Sequence, residues 1–213
     1  KKGISGLAQQ KAPCRSRLPR NNVSALQDFL NDLTSGDETR AEKSVSALAE
    51  LGENAIPALL DLTASADVDT RWWAVRALSQ SPHVSTGQLI PFLNDAAPEV
   101  RQCAALGLAA KPDGSATQPL VRALNDVDSL VCNLAAHALV KIGKPAVPSL
   151  IEAVDHESQA VRIRAIRALA EIRDYRAIPA LMRVIEEDSA ALGYWAKEGL
   201  ERLGLDMVYL KPV

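Results

Sequence analysis

The side chains that could do chemistry in this 213-residue chain are few and widely spaced. Its three histidines, His83, His137 and His156, have no histidine or cysteine partner at the spacing of metal ligands. Three cysteines without a Cys-x-x-Cys pair argue against a disulfide framework and favour buried thiols. Neither a nucleophile motif nor a glycine-rich phosphate loop occurs. The residues themselves therefore predict no catalytic site, no metal and no cofactor.

Three arginines at equivalent positions, Arg71, Arg101 and Arg162, are the remaining candidates for chemistry. Each follows an aspartate in a predicted turn by four to seven residues. This recurrence favours a structural role, in ion pairs with those aspartates, over a catalytic one.

A leucine recurs every 30 or 31 residues and indicates the elements that position these side chains. The leucines are Leu48, Leu78, Leu108, Leu139, Leu169 and Leu200. Small residues stand one and four positions before each leucine, which predicts a first helix that packs closely on its neighbours. A second apolar stretch follows, often with a proline at its start, as at Pro57, Pro148 and Pro179. Each unit is therefore predicted to be a hairpin of two helices.

Composition and charge limit the possible fold class, domain boundaries and location of the chain. Hydrophobic residues make up 47% of the chain but aromatic residues only 4%, which suits helix packing. The net charge is −2, yet residues 1–22 carry six lysines and arginines and no acid. We expect this basic tail to be disordered, or to be a targeting remnant, and residues 23–213 to form one domain with end caps at 23–36 and 205–213. No apolar run approaches the ~20 residues of a membrane span, so a cytoplasmic location is expected.

The pattern VRxxAxxAL followed by AIPxLxxxL resembles HEAT repeats of the short, phycobilisome-lyase-like subclass, most clearly in residues 161–187. The resemblance covers residues 23–204 and implies an all-α fold, an α-solenoid of about five and a half helical hairpins of 30–31 residues. It also implies that the three arginines form a ladder of arginine–aspartate ion pairs between stacked units, with Asp67, Asp95 and Asp155 as partners. The segments 87–93 and 118–124 have a displaced proline, so a later or shorter second helix is expected there. A single His-Glu pair, at His156, departs from the repeated pairs of the HEAT-like deoxyhypusine hydroxylases and argues against that family.

The outward positions of the first helices include apolar and aromatic residues where solvent is expected. We predict that they bind a partner protein, and the candidates are Trp72, Arg76, Leu106, His137, Ile163, Arg167 and Tyr194. The alternative is structural, with Trp72 and Tyr194 lying flat on a neighbouring helix or covered by the tail.

The outward positions of the second helices are the candidates for the concave face of the solenoid. They include Asp61, Arg122, Glu152 and Arg183, whose charges alternate in sign. Phosphate binding requires a run of positive charge, so we do not expect nucleic acid in this groove.

These observations favour a non-catalytic scaffold, adaptor or assembly factor that binds another protein and is not an enzyme. The resemblance implies a different function. It points to a subunit that attaches or removes bilin chromophores on phycobiliprotein cysteines, or to a chaperone-like factor for a light-harvesting complex. Such a subunit would bind a bilin and form a heterodimer with a second HEAT-like subunit. A third hypothesis is that the basic tail binds an anionic partner.

Overall fold

A computed structural model describes residues 20–187 and 189–205, and all regular structure in this part of the chain is helical. Six helices of 13 or 14 residues, here called A helices, alternate with six others, here called B helices, of which all but the first are shorter. The A helices are α2 (Glu38–Glu50), α4 (Val68–Gln80), α6 (Pro98–Ala110), α8 (Ser129–Ile142), α10 (Gln159–Ile172) and α12 (Ala190–Arg202). The B helices are α1 (Arg20–Leu33), α3 (Ile56–Leu62), α5 (Thr86–Leu89), α7 (Thr117–Ala123), α9 (Val147–Ala153) and α11 (Ile178–Ile185).

Capping residues explain where these helices begin. Asp37, Asp67 and Asp128 each accept hydrogen bonds from backbone N–H groups in the first turn of an A helix. Several B helices instead have a proline in the first turn, where its missing N–H removes no helical hydrogen bond. The predicted α-solenoid of helical hairpins is confirmed.

The A helices stack on one another and each B helix packs against the A helix that follows it. The six recurring leucines are at most 1% exposed and form the centre of the core. Small residues allow the close approach between A helices. At Gly107, an added Cβ would lie 2.2 Å from the Oγ of Ser79 and 2.7 Å from its Cβ. This contact between α4 and α6 therefore requires glycine.

The two segments with a displaced proline behave differently. In the first, α5 has only four residues and continues as a 3-10 helix over Ile90–Asn94. Pro91 lacks the N–H that an α-helix would need at that position, so the predicted shortening is confirmed. In the second, Pro119 lies in the first turn of α7, and α7 has seven residues, as many as α3 and α9. The shortening expected there is wrong.

Arginine–carboxylate pairs form at these positions as predicted, but each pair joins the two ends of one hairpin and not two neighbouring units, because the acid lies later in the chain than expected. The pairs are Arg71–Asp95, Arg101–Asp126 and Arg162–Glu187, with N–O distances of 2.7–3.0 Å. Arg101 also donates to the backbone carbonyls of Asp95 and Ala96. Each arginine thus joins the start of one A helix to the turn that closes its own hairpin.

The ends of the domain differ slightly from the expectation. Helix α1 begins at Arg20, inside the predicted tail, and ends at Leu33. Residues 1–19 and 206–213, which hold most of the tail and of the second cap, lie outside the described residues. Among the described residues, no single helix is long and apolar enough to cross a membrane. The bent pair Ser129–Ile142 and Lys144–Ala153, at 114°, meets that requirement only when both parts are taken together.

Candidate ligand-binding surface

Three of the predicted outward residues line one groove on the outer surface of the A helices, between α4, α6 and α8. The groove has a volume of about 420 Å³ and is called the apolar groove below. Its principal lining side chains are Trp72, Arg76, Leu106, Leu130 and Leu134. Leu106 is 53% exposed and Leu130 is 48% exposed, so the groove presents large apolar side chains to solvent. Such patches commonly mark binding sites on soluble proteins.

Trp72 and Arg76 form the polar and aromatic rim of the apolar groove. Trp72 is half-buried, and its ring packs edge-on against Trp73 with 4.7 Å between the ring centroids. The Arg76 guanidinium lies 5.5 Å from the centroid of the Trp72 ring and donates two hydrogen bonds to the Glu42 carboxylate. These hydrogen bonds raise the pKa of Arg76 and lower that of Glu42. Arg76 therefore remains charged and joins α2 to α4.

A second groove, the cationic groove, lies between α8 and α10 and has a volume of about 260 Å³. It is lined chiefly by Asn133, His137, Arg164, Arg167 and Glu171. The Arg164 Nη1 donates to the backbone carbonyl of Leu124 at 3.2 Å. The Arg167 guanidinium lies 4.7 Å from the centroid of the Trp195 ring, a cation–π contact. His137 and Arg167 were both predicted as outward residues.

The other two predicted outward residues lie apart from these grooves. Ile163 is half-buried against the core and lines neither groove. Tyr194 is 62% exposed on α12, and its ring packs edge-on against Trp195 at a centroid distance of 5.1 Å. The predicted set thus divides into two neighbouring grooves and two separate residues. Leu130 and Leu134 of the apolar groove were not predicted, because only three positions of each A helix were considered as outward.

The four predicted concave-face residues are exposed, each on a different B helix. Arg183 donates two hydrogen bonds to the Asp155 carboxylate, at 2.8 and 2.9 Å. Arg122 lines a polar groove beside Asp126. Asp61 and Glu152 lie on α3 and α9.

The described cysteines, Cys103 and Cys132, are both buried, as expected. Burial raises the pKa of the Cys103 thiol to about 12, and burial also raises the pKa of Cys132. The Cys132 thiol donates a hydrogen bond to the carbonyl of Asp126 at 3.3 Å. Both thiols are therefore protonated at neutral pH and are poor nucleophiles. Cys14 lies outside the described residues. Within residues 20–187 and 189–205, no group of three metal-ligating side chains converges.

A stack of helical hairpins in which each unit contacts its neighbours is typical of α-solenoid repeat proteins, and the two grooves lie on the outer layer of this stack. The family model for HEAT repeats matches residues 86–158 and 147–209, which together cover more than half of the chain. The phycocyanin operon protein Z of Pseudanabaena tenuis, which is uncharacterised, is 33% identical over 147 residues. That match covers 64% of this chain and 71% of the relative. The chain belongs to the HEAT-repeat proteins of the phycobilisome-lyase-like type.

A second relative is the bilin biosynthesis protein RpcF of Synechococcus sp., which is 33% identical over 87 residues. The match covers 40% of this chain and 42% of RpcF, so it spans less than half of that protein. Two solved structures share the fold. The CpcE–CpcF phycocyanin lyase complex of Nostoc sp. matches with a TM-score of 0.52 and 24% identity over 68% of this chain and 98% of the other. A Thermococcus onnurineus HEAT-like protein matches with a TM-score of 0.56 and 15% identity over 88% and 82%.

These comparisons correct one prediction. The prediction that the chain is not an enzyme is wrong, and the prediction of a protein-binding scaffold is less well supported than the alternative that the resemblance implies. One relative is named for bilin biosynthesis, and a structural neighbour is a phycocyanin lyase complex. The search for catalytic motifs failed here because the repeat pattern records helix packing and contains no catalytic motif.

Proposed function

We propose that this chain is a subunit of a bilin lyase, a protein that attaches a bilin to a phycobiliprotein cysteine or removes it. The observation that carries the proposal is its 33% identity to the bilin biosynthesis protein RpcF and to a phycocyanin operon protein. A generic scaffold role accounts less well for this pair of relatives. A chaperone-like role for a light-harvesting complex is the second form of the proposal, since it needs the same partners without the covalent step.

The burial of the described thiols supports a division of labour in this reaction. Cys103 and Cys132 are shielded from solvent and protonated, so they are unsuited to carry a bilin. The sulfur that bonds to the bilin would belong to the phycobiliprotein. This chain would bind and orient the chromophore and its acceptor, and such positioning is itself a large source of rate enhancement.

The active form would be a heterodimer with a second HEAT-like subunit. The structural neighbour CpcE–CpcF is a complex of two chains, which supports this part of the proposal. Exposed apolar side chains on the outer surface of the A helices are suited to contacts with other molecules.

Reconstitution tests the proposal. Apo-phycocyanin α-subunit and phycocyanobilin are incubated with this chain, with a second HEAT-like subunit, or with both. Covalent transfer is measured as bilin absorbance and zinc-enhanced fluorescence that remain on the denatured phycocyanin band. The reverse reaction is followed as loss of bilin from holo-phycocyanin. Transfer or release that requires this chain supports the lyase. A complex with phycocyanin that changes neither rate would support the chaperone-like role and contradict the lyase.

A further inference from the structure

The apolar groove has the size and lining of a small-molecule site. Its volume of about 420 Å³ falls within the range of ligand pockets, which are mostly apolar with a few polar groups. Leu106, Leu130 and Leu134 provide the apolar wall and Trp72 provides an aromatic one. The polar groups at its edge, among them Arg76 and Gln102, are few. The groove therefore suits a flat, apolar body.

The neighbouring cationic groove holds two arginines that have no carboxylate partner in the described part of the chain. Most other described arginines, including the whole ladder, pair with an aspartate or glutamate. Within residues 20–187 and 189–205, the Arg164 side chain donates a hydrogen bond only to a backbone carbonyl, and the Arg167 guanidinium stacks on the Trp195 ring. Glu171 contributes one negative charge to the lining against the two arginines, so the lining keeps a net positive charge. This groove can accept a carboxylate from outside the chain.

The two grooves share helix α8 as a common wall. Leu130 and Leu134 of α8 line the apolar groove, whereas Asn133 and His137 line the cationic groove. Residues three and four apart are neighbours on a helix surface, so these four side chains form two adjoining strips. Packed helices lie about 8–10 Å apart, so a ligand that crosses α8 reaches both grooves.

We propose that the apolar and cationic grooves together form the binding site of a linear tetrapyrrole, called the bilin seat below. The pyrrole rings lie in the apolar groove, and the propionate carboxylates bind Arg164 and Arg167. The proposal rests on the proposed function, because the lyase relatives supply the class of ligand. The charge and polarity of the two grooves support it. A bilin has a flat apolar body and two carboxylates, and the surface has an apolar groove beside two arginines that lack a carboxylate partner among the described residues. A partner protein in the groove is the competing occupant.

Binding of biliverdin, a linear tetrapyrrole with two propionates, tests the seat in the full chain. Binding is measured by induced circular dichroism in the visible range and by quenching of tryptophan fluorescence. Leu106→Asp places a charge in the apolar groove at an exposed position, and Arg167→Glu reverses a charge in the cationic groove. The matched controls are Val127→Asp, at a 98% exposed residue, and Arg173→Glu, at an exposed arginine that lines neither groove.

Each groove variant is expected to weaken biliverdin binding by about tenfold or more, which is about 1.4 kcal/mol. The controls are expected to bind like the unaltered chain, and far-UV circular dichroism and Tm identify any variant that misfolds. A charge-neutral variant, Leu106→Ala, keeps the test open if Leu106→Asp fails to fold, and it should weaken binding less.

Three results would overturn the seat. Equal binding by groove variants and controls would place the bilin elsewhere, and retained lyase activity would then leave the proposed function standing. Absence of biliverdin binding by the chain alone and by its heterodimer would overturn the seat as well. Loss of the second subunit by Leu106→Asp, with biliverdin binding intact, would assign the groove to a protein partner. Loss of all covalent transfer in the unaltered pair would instead count against the proposed function.

Discussion

Replacing Gly107 by alanine tests how closely the A helices approach beneath the apolar groove. An added Cβ would lie 2.7 Å from the Cβ of Ser79, and rotation of the serine side chain cannot relieve that contact. Helices α4 and α6 would have to separate. Overpacking costs up to about 3 kcal/mol, and the better helix propensity of alanine offsets about 1 kcal/mol. We expect the free energy of unfolding to fall by about 2 kcal/mol, which lowers Tm by about 4–8 °C.

Urea and thermal unfolding, followed by far-UV circular dichroism, measure this loss against two other glycines. At Gly193, no described atom lies within 4 Å of an added Cβ, so alanine should stabilise the fold by about 0.5–1 kcal/mol. At Gly199, the nearest atom is a movable Leu181 methyl at 3.2 Å, so an intermediate effect is expected. Adding Ser79→Gly to Gly107→Ala removes the collision and should recover part of the loss. Equal free energies of unfolding for Gly107→Ala and Gly193→Ala would contradict the close approach of α4 and α6 at Gly107.

Three further predictions concern ionisable groups. Arg101→Lys should destabilise the fold by about 1–3 kcal/mol in urea unfolding, because lysine cannot reproduce the two-pronged hydrogen bond to the ladder aspartate; an unchanged midpoint would contradict a structural ladder. Hydrogen bonds from arginine lower the pKa of Asp95 and hold that of Asp174 at about 2. Carboxylates whose pKa is depressed by folding stabilise the fold above their unfolded pKa, so stability should fall as pH drops from about 5 towards 2. Unfolding midpoints that stay constant over this range would be inconsistent with these pairs. In a Cys14→Ser chain, Cys103 and Cys132 should react with a thiol reagent only upon unfolding, since both are buried; fast labelling of the native chain would show that they are accessible.

Much of the fold follows from the leucine period and the small residues around it. Those positions predict which side of each A helix is buried, because a period of 30–31 residues places equivalent side chains on equivalent faces. The direction of the arginine ladder did not follow. Arg101 stands 6 residues after Asp95 and 25 before Asp126, and only the packing of helices decides which carboxylate the side-chain nitrogens reach. The predicted acid precedes each arginine in the sequence, whereas the acid that pairs with it follows it.

The candidate site was predicted only in part, for a similar reason. Trp72 and Leu106 were found because they are apolar at outward positions. Leu130 and Leu134 were missed because their participation depends on how α8 lies against its neighbours. The prediction that the chain is not an enzyme failed because no described residue belongs to a recognisable catalytic motif. If the reacting thiol belongs to the phycobiliprotein, no nucleophile motif is needed in this chain.

The proposed bilin-lyase role is tested most directly by covalent transfer of phycocyanobilin to apo-phycocyanin by the reconstituted pair of HEAT-like subunits. We predict that transfer requires this chain. At subsaturating bilin, the transfer rate should fall by about tenfold with Arg167→Glu but not with Arg173→Glu. The lyase role would be contradicted by two results together: transfer at the same rate without this chain, and holo-phycocyanin that keeps its bilin when this chain is present.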